Sequence, residues 1–255
     1  MIPRTVLAIL AAATLGVVTT AAEERPPAPG CEVPDHLRYL TEDLPHVRQA
    51  LARGAGLRIV VVGSASSVGV GVDSAASAYP ARLEKELGRH LKNAPVSVVV
   101  KAKSGQTAAE MVKLFKSEIV AQKPTLVVWQ TGTVDAVRGV NAEGFAESLA
   151  AGIEMLHQAG SDVILVDMQY SPYTSSMVNL ELYRKLMMWV AQTRDVFLFR
   201  RYEVMQYWSE NQIFDLGVTE RTEQRRVADR VHGCIGQLLA EAVLSRTDIA
   251  RDRPR

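Results

Sequence analysis

The residues of this chain that could do chemistry gather in a few short polar segments. Gly63-Ser64-Ala65-Ser66-Ser67-Val68-Gly69 places three serines between two glycines. A serine on such a turn is a nucleophile when a base takes its proton. The same turn could cradle an anion with its N–H groups, or simply need small residues to bend tightly. Lys103-Ser104-Gly105-Gln106-Thr107 and Gln130-Thr131-Gly132-Thr133-Val134-Asp135 add glycines, hydroxyls and a carboxylate. Arg221, Arg225, Arg226 and Arg230 form a local basic run, either a solvated face or a clamp for a carboxylate or phosphate.

Other chemistries find no support. The first turn lacks the Gly-Lys-Ser/Thr of a phosphate-binding loop, and its glycines, at 63, 69 and 71, do not fit the dinucleotide fingerprint. The histidines His36, His46, His90, His157 and His232 show no ligand spacing, so neither a metal nor a cofactor is expected. A net charge of +1 with no block of like charge argues against a nucleic-acid-binding face. Trp189, Tyr202, Tyr207 and Trp208 fall late in the chain and read as core or groove packing, or as a sugar-stacking platform.

These segments must be held by regular elements. The stretch 57–62, Leu-Arg-Ile-Val-Val-Val, is apolar and mostly β-branched apart from Arg58, the pattern of a strand buried on both faces. Further strands are predicted at 96–100, 125–129, 163–166 and 196–199. Between them, apolar stripes predict helices: Tyr79, Leu83, Leu87 and Leu91; Met111, Phe115 and Ile119; Phe145, Leu149, Ile153 and Leu156; 180–190; and finally Val227, Val231, Ile235, Leu238 and Val243. Alternation of strands and helices predicts an α/β domain, a parallel sheet with helices on both faces. Its site should lie at the carboxyl ends of the strands.

The N-terminus carries Arg4, an apolar run over 6–18 and the small residues Thr19, Thr20, Ala21 and Ala22. That order reads as a secretory signal peptide over 1–22. Cleavage would leave no membrane span and put the mature chain in the periplasm or outside the cell. A linker and helical arm follow over 23–55, a domain over 56–246 and a tail over 247–255. Cys31 and Cys234 are the only cysteines. In an oxidising compartment they can pair and tie the arm to the last helix, or stay as two thiols.

Taken in order, the polar loops resemble blocks one, two and three of the SGNH (GDSL-type) hydrolases. Asp167-Met168-Gln169-Tyr170-Ser171-Pro172, Tyr79-Pro80-Ala81-Arg82-Leu83 and Leu238-Leu239-Ala240-Glu241-Ala242 resemble a bacterial branch of exported members. The resemblance spans about 57–244. It implies a three-layer, flavodoxin-like sheet of five parallel strands and an ester-hydrolase ancestry. It also exposes losses. In the family's Gly-Asp-Ser, Gly63 matches the glycine, Ser64 replaces the aspartate and Ala65 replaces the nucleophile. For the oxyanion hole, Ala65 and Gly105 keep their N–H groups, but Val134 stands where an asparagine belongs. Losing one such donor costs about a hundred- to a thousandfold in rate. Asp135 matches the following aspartate and reads as a loop-holding residue. The family's Asp-x-x-His falls either on Asp229 and His232 or, counting back from Leu238, on Glu223 and Arg226; an arginine cannot accept a proton.

Two functional readings follow. In one, the scaffold binds a small acyl or glycan ligand, or an envelope protein, in the old active-site groove without hydrolysing it. In the other, Ser64 or Ser66 with Asp229 and His232 forms a rearranged site acting on small esters or O-acetyl groups.

Overall fold

A computed structural model describes residues 30–39 and 41–247. The segment 1–22, expected to be a signal peptide, and the tail beyond 247 lie outside the described residues.

The sheet contains β1 (Leu57–Gly63), β2 (Val96–Ala102), β3 (Leu126–Gln130), β4 (Asp162–Val166) and β5 (Phe197–Phe199). All neighbours pair in parallel, in the order β2-β1-β3-β4-β5. This is the flavodoxin-like arrangement expected from the sequence. β1 lies between β2 and β3, which explains its unbroken run of Val and Ile.

Side chains alternate across a strand, and β1 divides its residues accordingly. Ile59 and Val61 join one core, and Val60 and Val62 join the other. The first core packs beneath α2 (Pro45–Ala52), α3 (Tyr79–His90), α9 (Arg201–Glu210) and α10 (Arg221–Ser245). The second packs beneath α4 (Ala108–Leu114), α6 (Ala142–Gln158) and α8 (Glu181–Thr193). Shorter helices are α1 (Asp35–Arg38), α5 (Thr133–Val137) and α7 (Pro172–Met177).

Local chemistry starts the helices where the sequence placed loops. Thr107 caps α4 in a reciprocal capping box with Glu110, and Asn141 caps α6. Glu220 accepts from the N–H groups of Thr222 and Glu223 and so begins α10 at Arg221. That start is earlier than the family pattern implies. Both spellings of Asp-x-x-His therefore lie within α10 rather than in a loop before it.

Two contacts fix α10 in place. Gly236 lets it lie against α3: a Cβ there would come within 2.9 Å of the Leu83 nitrogen and 2.5 Å of the Arg82 Cβ. A disulfide joins Cys31 to Cys234, with the Cα atoms 5.1 Å apart. The N-terminal arm follows that tether into the first core, where Leu37, Leu44 and Val47 are buried.

Candidate functional site

Gln130, the last residue of β3, organises the turn after β1. Its Oε1 accepts from the Ser64 N–H at 3.2 Å, the Ser66 hydroxyl at 3.2 Å and the Ser67 hydroxyl at 3.0 Å. Ser67 in turn lies 2.8 Å from the Tyr79 phenol, which donates to it. Gly63 permits this convergence, since a Cβ there would stand 2.1 Å from Ser67 Oγ. The chain then makes one 3-10 turn, Ala65–Val68, and leaves through Gly69 at φ +86°.

Each serine hydroxyl of this turn is already committed. Ser64 Oγ accepts the Gly105 N–H at 3.0 Å. In a working oxyanion hole that amide points at the reacting oxygen; here the Ser64 hydroxyl takes the position. Ser66 Oγ accepts from Arg201 Nη1 at 2.9 Å and donates to Gln130. The protons of Ser66 and Ser67 are thus directed at an amide oxygen. Ala65 has no hydroxyl to offer.

His232 is on the buried face of α10. Its Nδ1 lies 2.9 Å from the Tyr79 backbone N–H and accepts from it. The single proton of the neutral ring is thereby assigned to Nε2. Burial pushes His232 down to about 4, and the Arg201 and Arg82 guanidinium groups add to the effect against a smaller pull from Asp229. Asp229 spends its carboxylate on Arg82, at 2.7 Å, and makes no hydrogen bond to His232 among the described residues. The Ser64–Asp229–His232 combination is therefore not assembled as a relay. Ser64 faces Gly105, Asp229 faces Arg82, and the accepting nitrogen of His232 is occupied by backbone.

The rival pair engages itself rather than the turn. Glu223 and Arg226 make an ion pair at 2.7 Å along the first turns of α10, with Arg226 exposed. Arg226 lines a shallow surface depression with Arg221, Arg225 and Arg230. Arg225 reaches Asp73 at 3.9 Å, and Arg230 stacks over Phe214.

Val134 is half-buried at the start of α5 and offers no donor. Asp135 is buried, and both its oxygens accept the Ala108 N–H, at 3.0 and 3.2 Å. Burial raises its pKa against that backbone donation. It ties the loop after β3 to the first turn of α4. The late aromatics do not form one platform: Trp208 is in the first core against Phe214, and Trp189 is exposed on α8 over the opposite core. Among the described residues no His, Cys, Asp or Glu cluster could hold a metal ion.

A cavity of about 200 Å³ opens beside the turn. Its polar lining includes Ser66, Gln169, Arg201 and His232, and its apolar lining includes Val227 and Ile235 of α10. Ala65, Gly105 and Val134 are not part of its wall. Arg201, the first residue of α9, is only 3% exposed. Nearby Asp167 accepts from the Tyr202 N–H at 2.8 Å, and burial raises it to about 7 despite Arg201 and Arg184.

Sequence reasoning missed Gln130 and Arg201. One signal for both was available: each is a long polar side chain at or just past the carboxyl end of a strand, β3 and β5.

The model of the Non-GDSL lipase-like family matches residues 30–249. No curated protein matches the sequence. Similar solved structures include a catalytic mutant of Axe2, an acetylxylan esterase from Geobacillus stearothermophilus. It is 13% identical, with TM-score 0.61, over 74% of this chain and 94% of that one. An alpha/beta hydrolase enzyme from the metagenome of Lake Arreo, Spain, is 17% identical, with TM-score 0.58, over 76% and 96%. The psychrotrophic esterase EstA from Pseudoalteromonas sp. is 15% identical, with TM-score 0.53, over 71% and 98%. At these identities the likeness is one of fold.

Proposed function

Because this chain belongs to the Non-GDSL lipase-like family and is an SGNH-type hydrolase by fold, we propose that it is an exported member in which Ser–His chemistry has given way to binding. It holds a small acyl or glycan ligand, or an envelope partner, at the carboxyl end of the sheet. The observation that carries this reading is the distribution of protons. Ser66 is the one serine of the turn that lines the cavity, and its hydroxyl donates to Gln130 while accepting from Arg201. His232 lines the same cavity but offers a donor, not an acceptor, because Tyr79 occupies Nδ1. General-base catalysis needs an accepting nitrogen within about 3 Å of the hydroxyl proton, or one water away.

Export is part of the proposal. It is supported by the signal-like N-terminus and by the Cys31–Cys234 disulfide, a bond that persists in oxidising compartments. Among the described residues no helix is long and apolar enough to cross a membrane.

The test is hydrolysis of p-nitrophenyl acetate and butyrate by the purified protein. The expected rate is the buffer background, unchanged in Ser64→Ala, Ser66→Ala and His232→Ala. Saturable turnover abolished by any one of these substitutions would overturn the reading.

A further inference from the structure

Arg201 presents an unsolved charge problem. Its guanidinium is buried, yet among the described residues its only side-chain hydrogen bond runs from Nη1 to Ser66 Oγ. Nε is buried without a partner. No carboxylate among the described residues comes within 4 Å of it. A buried charge left without an ion pair or a full set of hydrogen bonds is costly, so proteins rarely keep one without a use. Asp167 interacts electrostatically with Arg201 from beyond ion-pair distance, and its own burial raises it to about 7, which weakens it as a counter-charge. The cavity is where the missing partner can enter, and Arg201 forms part of its wall.

The rest of the wall defines that partner. His232 brings a second donor, the Nε2–H left by the Tyr79 contact. Ser66 and Gln169 add polar contacts. Asp215 lines the cavity too, but no ion pair links it to Arg201. Val227, Val231 and Ile235, on the same helix as His232, give the cavity its apolar lining. At about 200 Å³ the space is below the roughly 300–1,000 Å³ typical of drug-sized ligands.

We propose that this cavity binds a small amphipathic carboxylate, a short-chain acyl acid, with its head on Arg201 and His232 and its chain along α10. Planar, two-pronged recognition of a carboxylate is what a guanidinium does better than an ammonium. The proposal rests on the reading that the pocket binds rather than hydrolyses. It narrows the ligand to one chemical class. The acid would be a free carboxylate, and no covalent step is involved.

Isothermal titration of the purified, disulfide-bonded protein tests it with three probes: sodium hexanoate, hexanamide as its uncharged isostere, and inorganic phosphate as an anion without a chain. Hexanoate is expected to bind at least tenfold more tightly than either of the others. Arg201→Met should erase the advantage of hexanoate over hexanamide, and Arg201→Lys should keep part of it. Val227→Phe, at a half-buried position in the apolar lining, fills the cavity and should weaken hexanoate at least tenfold in a folded protein. Equal affinity for hexanoate and hexanamide overturns the charge assignment. Phosphate binding as tight as hexanoate overturns the apolar half, and absence of hexanoate binding overturns the whole. Hexanoate binding alongside saturable ester turnover would instead refute the non-hydrolytic reading and leave the carboxylate site standing.

Discussion

Asp167 and His232 both feel the charge of Arg201, and burial perturbs them in opposite senses. Their opposition makes a sharp forecast for how stability depends on pH. His232 titrates near 6.5 when unfolded and at about 4 when folded. Between those values the unfolded chain binds the extra proton, so stability rises with pH, by about 3 kcal/mol at 1.36 kcal/mol per unit. This contribution is complete above 6.5 and is lost as pH falls toward 4. Asp167 goes from 3.8 unfolded to about 7 folded. Here the folded chain binds the extra proton, so stability falls as pH rises from 3.8 to 7, by about 4 kcal/mol. The windows overlap from pH 4 to 6.5, and there the two slopes nearly cancel. Single substitutions should separate them. Asp167→Asn keeps the acceptor for Tyr202 and removes the falling slope, so its stability relative to wild type should increase with pH by about 4 kcal/mol across the window. His232→Gln keeps an acceptor for Tyr79 and removes the rising slope, so its relative stability should decrease with pH by about 3 kcal/mol. Urea unfolding at pH 4, 5, 6 and 7 supplies the free energies, and the imidazole proton resonances report the His232 titration directly. If His232 titrates near 6.5 in the folded protein, or if both variants track the wild type at constant offset, the burial argument fails.

Removing the disulfide by Cys31→Ala with Cys234→Ala should be strongly destabilising. The bond closes a separation of 203 residues, worth about 5 kcal/mol on the chain-entropy account, and the loss should show as a melting temperature lowered by roughly 10–20 °C. A drop of less than about 3 °C would show that the arm holds without its tether. Gly236→Ala forces α10 away from α3 and should cost about 1–3 kcal/mol in chemical denaturation; an unchanged midpoint would contradict the observed approach. Installing the family's missing groups together, as Ala65→Ser, Val134→Asn and Arg226→His, should leave p-nitrophenyl ester hydrolysis at background, since residue 226 is on the exposed side of α10 and Ser64 still occupies the Gly105 amide. Saturable turnover in that variant would show that position 226 reaches the turn after β1.

The sheet was legible because its strands are apolar on both faces and its helices carry regular stripes; β1 and α3 could be read from Val and Leu spacing alone. α5, α7 and α9 were not anticipated. The first two are short, and α9 is entered through Arg200-Arg201, a polar pair that hides the burial of Val204, Met205 and Trp208 behind it. The absence of a nucleophile at Ala65 was plain from one residue type at one position. The register of the last block was not, because Glu223/Arg226 and Asp229/His232 share one continuous helix and each occurs at helical spacing. Only the partners decide what they do: Arg226 pairs with Glu223, and His232 accepts from a backbone amide. Burial was the hardest property to read. Nothing in an arginine's name says that its guanidinium lies inside the protein, and Arg201 is recognisable as unusual only once β5 and α9 are folded around it.

The Cys31–Cys234 bond has a mechanical consequence. It turns the polypeptide between the two sulfurs into a closed covalent ring that contains the whole sheet. A pull applied at the two ends of the chain would therefore be carried across the sulfur bridge, and the strands would bear none of it. Among the described residues, it is the turns of α10 after Cys234, with Leu238, Leu239 and Val243 in the first core, that could be peeled away under load. The cavity wall contributed by α10 ahead of Cys234 lies inside the ring, so its geometry should persist under tension that strips the last turns of that helix.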